Sequence, residues 1–437
     1  MLSKSRFSDK IIYIFLLFCM ALLSVHFRTG AGSDNIDFNF VAMAFRVILW
    51  FSVLLIATMI FRPKLLLVKP SLNHANMTYV IYSWPMFLFL TLISTVLSAL
   101  IFGVTVSALD AVIFIQVIGC FFIMMLVYNL LKIEPTRVKG VMIVLMLLPS
   151  IQILGVIFIS EELATVLGIN RDYDFVWYFG YGNRFVGLLG NANAVAVQAC
   201  ISLAIISCFL LSKGHKLSAY WLLLKLFLIL YACAVLAIII LTGVRAALLS
   251  ILVMAFVIFI NARARQKLIF IFSMFMFSIF GTIYGFDAGL FDVLLERLNQ
   301  SDGRMFIWQF YVEKLAYNPI GYGLTFENVI DTKAIELGRL DDVRLTPHNA
   351  FLEIGVYSGL LGIILSIFLV IVFSLIMRPI YQVGFNGLNK WYLAACLAWA
   401  GLIVNHFFGG IFFGNWLFAI LTGVILATQT FPIYRRD

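Results

Sequence analysis

Charge is scarce in this sequence. Asp, Glu, Lys and Arg make up 12% of its 437 residues, about half of the roughly 25% found in soluble proteins. That excludes an ordinary soluble domain, which needs charge to cover its surface. The six cysteines (Cys19, Cys120, Cys200, Cys208, Cys233 and Cys396) all fall in apolar runs, and none has C-x-x-C spacing. They read as small hydrophobes, with no disulfide frame or zinc site. There is no Walker A loop, no H-E-x-x-H and no G-x-S-x-G elbow, so ATP hydrolysis, zincin chemistry and serine acyl transfer have no support. No set of His, Cys and carboxylates is spaced to hold a metal. Asp302 and the Asp341–Asp342 doublet read as solvated loop charge. No metal and no cofactor are expected.

What is present is long apolar stretches, 63% of the chain being hydrophobic. Each stretch is near the roughly 20 residues that cross a bilayer. They are continuous, which excludes the short alternating segments of a β-barrel. The expected fold is an all-α polytopic membrane protein with about twelve spans. These lie near 11–27, 39–61, 77–101, 105–131, 138–160, 186–211, 218–241, 243–261, 267–286, 350–377, 390–407 and 411–430. The first resembles a signal peptide, with Lys4, Arg6 and Lys10 before it. Its apolar core is longer than a typical signal's, and keeping it lets every later loop obey the positive-inside rule.

Charge sets the orientation. The N-terminus, the loops 62–76, 132–139, 212–217, 262–267 and 378–390, and the C-terminus carry eighteen Lys and Arg against three acids. Both termini are therefore expected in the cytoplasm. The basic balance is topogenic, and nucleic acid is not an expected partner. The alternate loops face outward, toward the periplasm in a Gram-negative host. Two of them are substantial, 161–185 and 287–349. The whole of 1–437 reads as one integral membrane domain, with 287–349 as its large outward loop.

That loop carries two amphipathic segments expected to be short helices lying on the membrane surface or roofing a cavity. In the first, Leu290, Leu294 and Leu298 share a face. In the second, RMFIWQFYVEKLAYN, Phe306, Phe310 and Lys314 share one side, and Ile307, Tyr311 and Leu315 form a neighbouring stripe. Asn318-Pro319 and the glycines of GYG end it.

His348 stands where the loop re-enters the membrane, between Pro347 and Asn349. One reading is a helix boundary, with Thr346 or Asn349 as cap. The other is a general base, since neutral imidazole takes a proton near physiological pH. His26 lies at a span end, and His74 and His215 lie in basic loops. His406, in a tight NHFFGG turn, reads as structural. Three arginines also gather at outer span edges: Arg184, Arg245 and Arg304. A lone edge arginine is usually an interfacial anchor. Three beside helix starts suit the oxygens of a pyrophosphate whose lipid tail stays in the bilayer. In GLLGNANAVAVQA, Gly187, Gly190, Ala192, Ala194 and Ala196 allow close helix approach. Asn191 and Asn193 are polar groups inside a span and need partners. Arg46, Asp110 and Lys225 are expected near span ends or paired.

Three pieces resemble the O-antigen ligase and O-antigen polymerase family. NRFVGLLGNANAVA is similar to the family's arginine–glycine–asparagine segment, with Ala192 where a proline is common. LTGVRAALLS is similar to its Ser-Arg-Gly/Ala span start, with Val244 in place of the serine. GRMFIWQFYVEKLAYNPIGYG followed by PHNAFLEIGVYSGLLG is similar to its Gly-Arg…Trp…Pro…Gly-x-Gly…His-Asn…Gly-x-x-Gly pattern. Together they lie between about 180 and 365.

The resemblance implies a GT-C-type membrane fold and a metal-independent, inverting glycosyl transfer at the periplasmic face of the bacterial inner membrane. The donor would be a glycan on undecaprenyl pyrophosphate. Arg184, Arg304 and Arg245 would hold the pyrophosphate, and His348 would activate or orient the acceptor hydroxyl. Asn349, Asn191 and Asn193 would give support. A ligase transfers to lipid A–core, whereas a polymerase transfers to a lipid-linked repeat unit. One dominant loop ending in a histidine leans toward ligase. A lipid-linked oligosaccharide flippase or transporter is the alternative of another class. It often shows internal repeats and broken mid-membrane helices; no repeat is evident here.

Overall fold

A computed structural model describes residues 2–23, 48–49, 52–60, 62–66, 75–158, 179–180, 184–185, 191–211, 219–261, 304–329, 347–383, 389–410 and 412–429. Its helices, in order, are α1 (Leu2–Leu23), α2 (Ala75–Phe102), α3 (Ala108–Ile133), α4 (Val138–Phe158), α5 (Ala192–Leu211), α6 (Ala219–Thr242), α7 (Arg245–Asn261), α8 (Arg304–Tyr317), α9 (Ala350–Ile376), α10 (Lys390–Phe407) and α11 (Trp416–Gln429). Residues 52–60 are also helical. Six segments are long and apolar enough to cross a membrane: Asn76–Phe102, Asp110–Ile133, Pro135–Leu154, Ala192–Leu211, Tyr220–Thr242 and Ala350–Ile380. Arg245–Ile260 and Trp416–Gln429 are shorter apolar helices. The described chain is thus a helical, polytopic membrane protein. The expected span at 267–286, the expected helix carrying Leu290, Leu294 and Leu298, and Gly187, Gly190, Arg46, His26, His74 and His215 lie outside the described residues.

Inside a bilayer, helices associate through close packing and hydrogen bonds, because lipid is as apolar as leucine. Small residues are therefore placed at the crossings. Ala196, Ala199 and Ala204 of α5 are buried against its neighbours α4, α6 and α10. On α11 a Cβ at Gly423 would sit 2.7 Å from the Met124 carbonyl of α3. Polar rungs add direction. The Ser202 hydroxyl (2.6 Å) and the Tyr231 phenol (2.8 Å) both donate to the Met146 carbonyl, next to the turn that Pro149 interrupts. The Gln152 amide donates to Gln198 (3.2 Å), and the Ser250 hydroxyl to the Gly401 carbonyl (2.8 Å). The Ser202 and Gln198 rungs run in opposite order along α4, so α5 is antiparallel to it. Cys200 of α5 reaches the Ala247 carbonyl near the start of α7, Ser250 joins the first half of α7 to the second half of α10, and α6 meets α7 across residues 243–244. The start of α5, the end of α6, the start of α7 and the end of α10 therefore share one end of the bundle.

At the opposite end α1 is tied in by charge. Asp9 is buried, its carboxylate 3.0 Å from Arg62 Nε, and Arg137 donates to the Asp9 carbonyl at 3.4 Å. The Tyr13 phenol donates to the Arg137 carbonyl at 2.7 Å. Arg137 also pairs with Glu134 at 2.8 Å.

Helix α9 is broken. Gly359 has φ 69° and ψ −168°, values outside the helical range. The segment Asn318–Thr325, which follows α8, docks into this break. The Leu360 amide donates to the Pro319 carbonyl (2.9 Å), and the Tyr322 amide to the Val356 carbonyl (2.7 Å). Ser94 of α2 donates to the Ile320 carbonyl at 2.6 Å, and Thr95 Oγ1 accepts from the Leu324 amide at 2.8 Å. Irregular backbone within a membrane fold persists only where protein satisfies it, and here three segments satisfy one another. The approach leaves no room for side chains. A Cβ at Gly321 would lie 2.4 Å from Gly359 N, and one at Gly359 would lie 2.3 Å from the Ile320 carbonyl oxygen. The GYG glycines thus do more than end α8. The span expected at 350–377 is present as Ala350–Ile380, its helix divided at Gly359 into two halves around a joint.

Three further differences matter. Span six begins at Ala192, not at 186. The Asn191 side chain caps it, accepting from the amides of Asn193 (2.9 Å) and Ala194 (3.3 Å). Asn191 therefore sits at the helix mouth instead of inside the span, and its partner is the helix's own backbone. Second, a two-residue antiparallel pair, β1 (Phe179–Gly180) and β2 (Arg184–Phe185), precedes α5 and packs against α6. Third, on α8 the Ile307, Tyr311 and Leu315 stripe is the buried one. It lays the helix on α9.

Candidate functional site

The chain makes a sharp bend before α9. Pro347 is buried, His348 is exposed, and Asn349 is buried again. His348 has φ 47°, and among the described residues it alone combines a positive φ with a side chain. A left-handed backbone costs an L-residue roughly 1–2 kcal/mol, so the surroundings must hold it there. Two contacts do. Asn349 caps α9, its Oδ1 accepting from the amides of Phe351 (3.0 Å) and Leu352 (3.2 Å). On the other side, the Trp308 indole donates to the Pro347 carbonyl at 2.9 Å. The helix-boundary reading of this stretch is therefore correct for Asn349. It does not account for His348, which is turned outward at the bend.

Trp308 lies one turn beyond Arg304, the first residue of α8. Its ring rests on Phe408 (centroids 6.2 Å apart) and meets Phe407 edge-on at 6.1 Å. The Arg304 end of α8, the His348 bend and the end of α10 are thereby brought together. The turn after α10 is held by His406, which is buried with its Nδ1 2.8 Å from the Gly410 carbonyl. That is the structural role expected of it.

Arg245 is the first residue of α7 and is exposed. Arg184 lies in β2, opposite Gly180. Of Arg184 and Arg304 the backbone alone is described. The structure thus places the four candidates at the shared end of the bundle by backbone position: two at helix starts, one in the strand pair before α5, and His348 at the bend before α9. It directly links only the Arg304 helix with the His348 bend. Asn193 is exposed in the first turn of α5.

Sequence reasoning gives no role to three other residues. Glu353, one turn into α9, donates its amide to the Asn349 carbonyl at 2.9 Å, and its carboxylate lies over Gly410. An acid there also suits the positive end of the helix dipole. Asp110, at the start of α3, is fully buried and accepts from the Tyr357 phenol at 2.8 Å. This is the pairing expected of an ionisable group near a span end. Below it, Tyr322 donates to the Lys314 carbonyl at 3.0 Å, and burial pushes its phenol above its ordinary pKa. It remains a donor there, bracing α8 against the joint. An apolar groove runs between Ile48, Ser52 and Leu55 on one side and α3 on the other, where Ile115 and Phe122 line it, and none of the four candidates lines it.

Residues 230–367 match the family model for O-antigen ligase. Over this segment, about a third of the chain, the protein is similar to the O-antigen ligase family. A comparison with curated proteins gives no match. The matched segment runs from the middle of α6 to just beyond the Gly359 joint. It contains Arg245, Arg304, His348 and Asn349, and it leaves Arg184, Asn191 and Asn193 outside. This similarity favours a function of the O-antigen ligase or polymerase type.

Proposed function

We propose that the protein is an inverting glycosyltransferase that moves a glycan from undecaprenyl pyrophosphate to an acceptor sugar, with lipid A–core as acceptor. The acceptor hydroxyl attacks the anomeric carbon from the face opposite the pyrophosphate. The carbon–oxygen bond to phosphorus breaks, and its electron pair leaves with the pyrophosphate. His348 orients the hydroxyl and takes its proton. Arg304, Arg184 and Arg245 neutralise the charge that the leaving group gains. Such preorganised stabilisation is often the largest part of catalysis. The donor is already activated, so no nucleotide is required.

The observation that carries this reading is the bend at His348. An exposed imidazole is held in a left-handed backbone by hydrogen bonds from two sides, beside the start of the Arg304 helix. Strain of this kind gathers at functional sites. In the same reading the chain is one domain of about twelve spans with GT-C-type architecture. It lies in the bacterial inner membrane with both termini cytoplasmic, and 287–349 is a periplasmic loop over the site. Asn191 and Asn349 support the site as caps, and Asn193 from the first turn of α5.

The test is reconstitution with a lipid-linked glycan and two acceptors offered separately, lipid A–core and a lipid-linked repeat unit. Product on the first alone is expected. Product on the second alone would make the protein a polymerase. Product on neither, with glycan crossing the bilayer, would replace the enzyme by a flippase.

A further inference from the structure

We infer that Trp308 is a positioning residue for the transfer: its indole N–H sets the direction of the His348 side chain. This rests on the reading of His348 given above and adds to it the residue that aims the imidazole. The argument is one of backbone geometry. The Pro347 carbonyl and the His348 amide belong to a single planar peptide unit. The rotation of that plane about the His348 N–Cα bond is φ, and φ decides where the side chain leaves the backbone. The proline ring fixes its own φ, which leaves ψ of Pro347 as the free rotation on that side of the plane. The indole hydrogen bond to the Pro347 oxygen, at 2.9 Å, fixes its orientation. Beyond His348 the next turn is fixed in its turn by the Asn349 cap. His348 is thus suspended between two pinned peptide units, and φ stands at 47°.

The donor is itself well placed. Trp308 is half-buried, wedged between Phe407 and Phe408 at the end of α10, so its N–H points where the ring packing aims it. It stands four residues after Arg304, and residues at that spacing lie on one face of a helix. One side chain therefore registers the helix that begins with Arg304 against the bend that carries His348. Displacements of about 1 Å at a reacting group can cost on the order of 10²-fold in rate, so such a tie has a kinetic consequence.

The experiment uses the full chain, reconstituted with a lipid pyrophosphate-linked glycan and each of the two acceptors. It compares wild type, Trp308→Phe, His348→Ala, and a variant with benzothienylalanine at position 308. The last keeps the shape of the bicycle and exchanges the N–H for sulfur. Expected are an inactive His348→Ala, and a kcat reduced by roughly 10- to 100-fold in both position-308 variants. KM for donor and acceptor should stay near the wild-type values. A wild-type kcat in the benzothienylalanine protein, with His348→Ala inactive, overturns the inference and leaves the reading of His348 standing. So does a loss confined to Trp308→Phe with a lowered melting temperature, because ring packing would then be the cause. A raised KM at unchanged kcat also overturns it. Wild-type transfer by His348→Ala removes the reading of His348 and the inference with it.

Discussion

The two halves of α9 differ sharply although both are strongly apolar. Before Gly359, residues Ile354 to Ser358 are all buried, and Tyr357 reaches across to Asp110. After it, Leu360, Leu361, Ile364, Ile367, Phe368, Ile371 and Leu375 are exposed, Leu361 at 62%. The first half is packed in protein and holds the bend at its tip. The second half presents an aliphatic face suited to lipid. Apolarity alone therefore does not say which part of a membrane helix is structural wall and which is hull. The neighbours decide it, here α2, α3 and the segment after α8.

Four substitutions test that contrast. The largest effect is expected at the tip. His348→Ala should lower transfer by roughly 10²–10⁴-fold, the usual share of a general base, with the melting temperature unchanged. Initial rates and thermal unfolding of the purified protein check it. Next is the joint. Gly359→Ala puts a Cβ 2.3 Å from the Ile320 oxygen at a positive φ. It should cost at least about 1–2 kcal/mol from the backbone conformation alone and lower both Tm and activity. Third, Tyr357→Phe leaves the buried Asp110 carboxylate without the phenol donor. A loss of about 1–3 kcal/mol is expected, read as a reduced Tm. Least affected should be Leu361→Ala on the exposed face, with stability within about 0.5 kcal/mol and wild-type transfer. A fall in Tm in Leu361→Ala equal to that in Tyr357→Phe would erase the distinction between the halves.

The helices were largely legible because each needs only a local property, a run of apolar residues near bilayer length. Expected spans at 77–101, 138–160, 218–241 and 390–407 lie within a few residues of α2, α4, α6 and α10. The buried stripe of α8 was visible in the spacing of Ile307, Tyr311 and Leu315. The start of α5 was misplaced by six residues because apolarity continues through FVGLLG, and only the Asn191 cap marks the boundary. Other features depend on partners distant in sequence. The break at Gly359 needs the Pro319 carbonyl, and the pinning of Pro347 needs an indole 39 residues earlier. In the sequence, Gly359 stands only as the first glycine of the Gly-x-x-Gly in PHNAFLEIGVYSGLLG. His348 was legible as a candidate because its chemistry is carried by one residue type. Its left-handed backbone was not.

The Asp9 contacts at the other end of the bundle have a consequence for biogenesis. Asp9 is made early, yet the groups that hold it, Arg62 on its carboxylate and the Arg137 guanidinium on its backbone carbonyl, belong to stretches synthesised later. The first helix is therefore synthesised before its anchors exist, and its final seat is fixed only once the chain has been translated past α3.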